Sequence, residues 1–371
     1  ISNSGKVKFS IKNLHEDRVN VTLRIVASDD LKYDVDQKIV ELDSHEEKSI
    51  FFHINRGTSI SGSSYNIFLV AQHGDTFSKE NALVKVEEEN RFIYIIPLAI
   101  LFIVISIAFS IHKREFIKKN RKIIFDIAVL ILIFIFLLTF FKPQYILSET
   151  TATGGDTASH YLTAVHMKEH LLPNMSGWLQ GNYAGFPLLQ FYFPLPFLVM
   201  SLLSYIIPMQ IAFKVVTILG IFSLPFACYF SFKKIGFKFP SPIIASLLSL
   251  FFLFHEGNSM WGGNIPSTLA GEFSYSISLS LSVLFLGFMY EGISHVKENK
   301  HIVFNVLLLF FIGLSHVYGL LFAGLASLFF LFTKERFVHN FKYLAKVYGL
   351  SFMLLGFWII PMLSKLGYTT A

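Results

Sequence analysis

The chain has 371 residues, of which 53% are hydrophobic and 42 are phenylalanine. This composition excludes a soluble globular protein, because it leaves too few polar residues to cover a water-facing surface, and it indicates a polytopic membrane protein. The net charge of +6 does not indicate a nucleic-acid partner. Most lysines and arginines beyond residue 90 fall in short segments between apolar runs, as they do in the cytoplasmic loops of membrane proteins.

The first 89 residues are polar and contain short runs with the composition of β-strands. Within residues 20–26, apolar and polar side chains alternate (NVTLRIV), which is typical of a half-buried strand. Turn residues separate the runs, and this spacing predicts an antiparallel sandwich. The pattern resembles immunoglobulin-like or fibronectin-like modules, which implies an extracytoplasmic domain. The segment shows no catalytic cluster, so we expect a spacer or packing role, with carbohydrate or partner binding as the alternative. The strand-like runs are residues 6–12, 18–27, 37–42, 48–54, 64–72 and 82–87.

Two apolar runs follow, at residues 92–111 and 123–141. Each has about the 20 residues that a helix needs to cross the ~30 Å hydrocarbon core of a bilayer. The segment between them (HKREFIKKNRK) is strongly basic, which predicts a cytoplasmic loop and places the sandwich outside the cell. Since the chain stops just after another apolar run, we expect its membrane part to continue beyond residue 371. The predicted domains are an extracytoplasmic sandwich at 1–89, a first transmembrane helix with its basic loop at 90–122, and a transmembrane module at 123–371 with an extracytoplasmic loop at 142–190.

Later apolar runs predict further spans, and the basic segments between them fit cytoplasmic loops. One run, residues 191–207, does not fit, because an extra crossing there would move the lysines at 233 and 234 to the outside. It carries Pro194 and Pro196 and ends at Pro208, which favours a re-entrant or interfacial helix over a full span. The other predicted spans are residues 209–230, 242–254, 275–290, 302–315, 319–332 and 344–362.

The stretch at residues 150–161 (TTATGGDTASHY) opens the long outer loop. Asp156 is a natural N-cap for the helical pattern that runs to about residue 172, and His160 falls on roughly the same helix face four residues later. The predicted topology brings other polar segments to the same outer side, around residues 178–187, 255–264, 267–272 and 315–318. Because ionisable residues at a membrane are costly, their convergence on one side predicts a functional site.

These motifs resemble those of known membrane proteins. A span followed by a long outer loop with GGDTASHY resembles the start of the GT-C superfamily of membrane glycosyltransferases, in which an acidic residue early in the first outer loop acts at the catalytic centre. More narrowly, four stretches resemble the membrane proteins called 6-pyruvoyl-tetrahydropterin synthase-related, although no pterin-enzyme signature is visible. The resemblance covers about residues 120–371, and its stretches are GWLQGNYAGFPLLQFYFPLPFLV, GNIPSTLAGEFSYSISLSLS, LSHVYG and FWIIPMLSKLGYTT.

The GT-C resemblance implies sugar transfer from a polyprenyl-phosphate-linked donor at the extracytoplasmic face of the plasma membrane. Such a site needs a carboxylate to activate the acceptor and donors or cations for the leaving phosphate. We assign Asp156 the role of base, with Glu272 as a second acidic group. The alternative is that Asp156 is only a helix N-cap and that Glu272 is only favourably placed at a helix N-terminus. His160 would orient Asp156 or donate to the phosphate. His316 and Tyr318 would contact phosphate or sugar, and the alternative for them is a polar hairpin turn.

Other residues complete the expected site. Trp178, Tyr183 and Trp261 could stack on a sugar, although aromatic residues often line the membrane interface without such a role. His255 and Glu256 are weaker candidates for substrate contact. A Mg²⁺ or Mn²⁺ ion held by Asp156 and Glu272 is an open alternative to metal-free transfer. The sequence HMKEH at residues 166–170 matches an inverted zinc-protease pattern, but no segment offers a third ligand and we do not adopt it.

The sequence therefore predicts an α-helical polytopic membrane protein of GT-C-like fold with an N-terminal all-β, immunoglobulin-like sandwich. Its expected partners are membrane lipid, the polyprenyl-phosphate sugar donor and a glycan or protein acceptor. A different class of function remains open, namely a non-catalytic scaffold or a lipid- or polysaccharide-binding component of a cell-envelope assembly. A transporter is the third hypothesis, but no inverted repeat supports it.

Overall fold

The computed structural model describes residues 4–33, 37–59, 63–87, 114–152, 154–181, 184–295 and 300–369. The chain divides into two compact units, residues 1–114 and 115–371. The first predicted span, residues 92–111, lies outside the described residues.

The first unit contains seven strands in two antiparallel sheets. One sheet has the order β1-β5-β3 and the other has the order β4-β2-β6-β7. Alternate residues of β2, from Val19 to Ile25, are buried and pack with Phe9 and Phe52 of the other sheet in one core. The predicted β-sandwich is confirmed. The strands are β1 Ser4–Lys12, β2 Val19–Val26, β3 Lys32–Tyr33, β4 Gln37–Leu42, β5 Glu47–Asn55, β6 Ser64–His73 and β7 Thr76–Lys85.

The second unit is helical, apart from a small hairpin of β8 (Gly177–Leu179) and β9 (Phe186–Leu188). A π-helical turn, Met167–Leu171, directly follows α2, and a kinked turn, Thr268–Glu272, directly precedes α6. The longer helices among the described residues are α1 Arg114–Phe141, α2 Thr157–His166, α3 Leu195–Leu203, α4 Met209–Ile235, α5 Ser241–Leu253, α6 Phe273–Ser294, α7 Ile302–Ser315, α8 Val317–Leu328 and α9 Phe337–Ser364.

Among the described residues, four helical segments are long and apolar enough to cross a membrane: Asn120–Phe141, Met209–Ile235, Ile265–Ser294 and Phe337–Ser364. This confirms a polytopic helical membrane protein. The helices α5 and α7 occur where spans are predicted, but with 13 and 14 residues they are shorter than the ~20 that a perpendicular span needs. The proline-flanked helix α3 has nine residues, about 14 Å at 1.5 Å per residue, and is too short to cross, as expected.

The helix α6 lies at the centre of this unit, and small residues fix its position. Its Ser280 hydroxyl donates to the Gly220 carbonyl of α4 at 2.8 Å, and its Ser282 hydroxyl donates to the Gly319 carbonyl of α8 at 3.0 Å. A side chain added at Gly220 would overlap the backbone of Ser276. Such small-residue contacts let helices approach closely within a membrane protein. They hold the N-terminal end of α6, where Glu272 lies, in a fixed place.

Candidate functional site

The loop before α2 is hydrogen-bonded to the kinked turn Thr268–Glu272, which precedes α6. The Asp156 backbone N–H donates to the Ala270 carbonyl at 2.8 Å, and the Thr157 hydroxyl donates to the Leu269 carbonyl at 3.2 Å. Gly155 has a φ of +46°, and a Cβ there would overlap the Ala270 backbone. The glycine next to Asp156 therefore permits the close approach of two segments that are more than 100 residues apart in sequence.

Gly271 brings the turn against the side chains of Asp156 and His160. Its φ is +131°, and a Cβ at this position would lie 3.1 Å from the Asp156 Cβ and 3.3 Å from the His160 Cδ2. Since Glu272 follows directly, the structure brings Asp156, His160 and Glu272 together, and we call these three residues the carboxylate–histidine cluster. The non-helical backbone of Gly271 forms a kink within Thr268–Glu272, directly before α6.

Both carboxylates occupy N-cap positions without capping. Asp156 precedes α2 and Glu272 precedes α6, but neither side chain accepts a hydrogen bond from its helix N-terminus. The predicted N-cap position of Asp156 is confirmed, whereas the interpretation that its carboxylate only serves the helix finds no support in this geometry.

His160 is packed in an aromatic environment. Its ring lies 5.6 Å from the Tyr192 ring in a stacked arrangement and 5.2 Å from the Phe273 ring in an edge-to-face arrangement. Burial lowers the pKa of His160 below its usual value, and the negative charge of Asp156 opposes this effect only in part. The imidazole is therefore neutral near pH 7, with one nitrogen able to donate and the other able to accept a hydrogen bond.

Tyr192 is a site residue that the sequence analysis missed. Burial raises its pKa to about 12, and the charges of Glu272 and Asp156 act in the same direction. The phenol therefore stays protonated and can donate a hydrogen bond beside both carboxylates. Tyr192 lies within the stretch FYFPLPF, part of the longer motif on which the family resemblance rests, and the available signal was a run of three aromatic residues directly before Pro194.

His316 lies beside the same aromatic segment. Its ring is 4.5 Å from the ring of Phe193, which follows Tyr192, and 5.4 Å from the ring of Tyr275 in the first turn of α6. Its Nδ1 accepts the Tyr318 backbone N–H at 3.2 Å, so this side chain caps α8. Burial lowers the pKa of His316 to about 4. The contact of Nδ1 supports the interpretation that His316 belongs to a polar turn. The other ring nitrogen, Nε2, is left for a further contact.

The remaining predicted residues lie further along the connecting segments. Trp178 in β8 is exposed, and its indole covers Gly185; its carbonyl is 3.3 Å from His166 Nε2. Trp261 and Tyr318 are also exposed, and Gly262, next to Trp261, packs on the Tyr275 ring. His255 and Glu256 lie in the exposed loop after α5. Tyr183 lies outside the described residues.

The metal question depends on the number of ligands. In the described part of the chain, no three His, Cys, Asp or Glu side chains form a group that could hold a metal ion. His166 and His170 are close, with ring centroids 4.8 Å apart, but they belong to no such group. A Mg²⁺ or Mn²⁺ ion at Asp156 and Glu272 would therefore need most of its ligands from water or substrate.

Comparison with known proteins bears on the part of the site that follows residue 188. Residues 189–371 match the family described as 6-pyruvoyl-tetrahydropterin synthase related domain; membrane protein. This part, just under half of the chain, is similar to that family. The match includes Tyr192, Glu272 and His316 and begins after Asp156 and His160, so it is narrower than the resemblance from residue 120. The comparison with curated proteins found no match.

Proposed function

We propose that this integral membrane protein is a glycosyltransferase that transfers a sugar from a polyprenyl-phosphate-linked donor at the extracytoplasmic face. The observation that carries the proposal is the carboxylate–histidine cluster beside Tyr192. It supplies two carboxylates that cap no helix, a neutral histidine and a protonated phenol within one small region. Removal of a proton from the acceptor needs a carboxylate base, and departure of an anionic phosphate needs hydrogen-bond donors, so the reaction calls for this combination of groups.

In the proposed reaction, Asp156 accepts the proton of an acceptor hydroxyl or amide as that atom attacks the anomeric carbon of the donor sugar. The bond between this carbon and the phosphate oxygen breaks, and the polyprenyl phosphate leaves as an anion. The protonated Tyr192 and the N–H of the neutral His160 ring would donate hydrogen bonds to the leaving phosphate. Glu272 would orient the acceptor, or hold Mg²⁺ or Mn²⁺ together with Asp156.

The exposed aromatic side chains fit a role in binding the sugar. Trp178, Trp261 and Tyr318 present large exposed ring surfaces on segments that connect to the cluster. Aromatic faces stack on the apolar faces of sugar rings, and we propose that these three residues bind donor or acceptor sugars. The sandwich domain would then hold or recruit a glycan or protein acceptor on the same side of the membrane.

The test is transfer of labelled sugar from polyprenyl-phosphate donors to endogenous acceptors in membranes that contain the full chain. Asp156→Asn keeps the size of the side chain and removes the base, so we expect kcat/KM to fall by about 10²–10⁴-fold. Glu149→Gln is the matched control, because Glu149 is an exposed acid in the same loop and we expect it to leave the rate unchanged. Transfer by Asp156→Asn at the wild-type rate would refute the proposal and favour the non-catalytic scaffold.

A further inference from the structure

An apolar groove runs between α7 and α9, away from the carboxylate–histidine cluster. It encloses a volume of about 260 Å³ and is lined by Val303, Val306, Leu307, Leu350, Met353 and Leu354. Val303 and Met353 are 72% and 77% exposed, so the groove opens outward from the helical unit. Its walls present no charged group, and in a membrane-spanning unit such a surface faces hydrocarbon.

The base of the groove is held by polar contacts between the two helices. The Ser351 hydroxyl donates to the Val306 carbonyl at 3.2 Å, and the Asn305 side-chain amide donates to the Tyr343 hydroxyl at 3.1 Å. Both contacts are buried, and they fix the separation of α7 and α9. The groove is therefore formed by the fold itself and needs no ligand to open it.

Two lysines lie at the end of the groove where α9 begins. Lys346 precedes Leu350 by one helical turn and Lys342 precedes it by two, so all three side chains lie along one face of α9. Both lysines are exposed, and neither forms a salt bridge with the described residues. Other basic residues do have an acidic partner: Lys234, Lys300 and His301 all contact Glu291, near the C-terminal end of α6, at 2.8–2.9 Å.

We propose that this groove binds an anionic phospholipid, with an acyl chain between α7 and α9 and the headgroup phosphate on Lys342 and Lys346. Lysine side chains near a helix end extend their ammonium groups toward the headgroup region while their methylene stems remain in contact with apolar surface. Each lysine close to an anionic lipid headgroup strengthens binding by about fivefold. The flexible Met353 side chain adapts to a chain of variable conformation. The site is separate from the proposed donor site and does not depend on it.

The binding test is native mass spectrometry of the full chain in detergent, titrated with phosphatidylglycerol or with phosphatidylcholine of the same acyl chains. We expect phosphatidylglycerol to bind at least tenfold more tightly. Replacing both lysines (Lys342→Gln with Lys346→Gln) should weaken its binding by about 25-fold, or fivefold for each charge. Lys365→Gln, at the other end of α9, is the matched control and should leave binding unchanged. Val303→Trp fills the groove and should weaken the binding of both lipids.

Four results would overturn the proposal. Equal binding of the two lipids would show a non-specific lipid annulus, and retention of phosphatidylglycerol by the double lysine variant would place the headgroup elsewhere. Displacement of the lipid by millimolar inorganic phosphate would indicate a phosphate site without an acyl-chain contribution. A doubled mass that disappears in Val303→Trp would show that a second copy of the chain covers the groove.

Discussion

Gly271→Ala tests how the fold brings Asp156 and Glu272 together. An alanine at a φ of +131° adopts a backbone conformation that costs about 1–3 kcal/mol. Its Cβ would also lie 3.1 Å from the Asp156 Cβ, so the loop has to move by a few tenths of an ångström. For a unit of this size each kcal/mol corresponds to about 2–4 °C, so we expect the apparent Tm of the purified protein to fall by about 2–12 °C.

The same substitution should lower sugar transfer beyond the loss of folded protein. Displacement of a catalytic group by about 1 Å can cost 10²-fold in rate, and a shift of a few tenths of an ångström should cost correspondingly less, about threefold or more. Gly349→Ala is the control, because outside its own helical turn nothing in the described structure lies within 4 Å of its Cβ position, and its helical backbone accepts alanine. If both variants melt and react alike, Gly271 does not set the geometry of the site.

Two further predictions concern protonation and the outer loop. Because burial lowers the pKa of His160, the unfolded chain binds the proton more tightly, and stability should fall as the pH drops below about 6.5. His160→Phe keeps a ring in this environment and should reduce the decrease in Tm between pH 7.5 and 5; an unchanged decrease would exclude His160 as its source. Lys214→Met removes hydrogen bonds from Nζ to the Ser148 carbonyl at 2.7 Å and hydroxyl at 3.0 Å, so hydrogen exchange of residues 143–150 should accelerate by about tenfold or more. Exchange at the wild-type rate there would show that the loop is held by other contacts.

Much of the architecture could be predicted because it depends on short-range periodicity. Alternation along residues 20–26 identified β2, since side chains on a strand point to opposite faces in turn. The apolar length of residues 123–141 identified the membrane part of α1 for an equally local reason. The four-residue separation of Asp156 and His160 likewise placed both on one face of a single helix. The ends of α5 and α7 were predicted to within one residue, at 242–254 and 302–315, because polar segments flank each apolar run.

The partnership of Asp156 with Glu272 could not be predicted by any local rule. It depends on the Asp156 N–H bond to Ala270 and on the positive φ angles of Gly155 and Gly271, which allow two backbones to meet. A glycine in a sequence predicts conformational freedom, but it does not predict which distant segment will pack against that glycine. The sequence placed both acids on one side of a membrane by counting spans, whereas the structure brings them together through backbone contact.

Tyr192 shows why a site residue of ordinary type escapes sequence analysis. An aromatic residue in an apolar run predicts only a packed core or a membrane interface, and the chain has 42 phenylalanines to which the same prediction applies. What distinguishes Tyr192 is its position, where it stacks on His160 and where burial, together with the charges of two carboxylates, keeps its hydroxyl protonated. The ring of its neighbour Phe193 contacts the ring of His316, so this dipeptide contacts both His160 and His316. The chemistry of this residue therefore comes from contacts with α2 and α6 and not from its own sequence context.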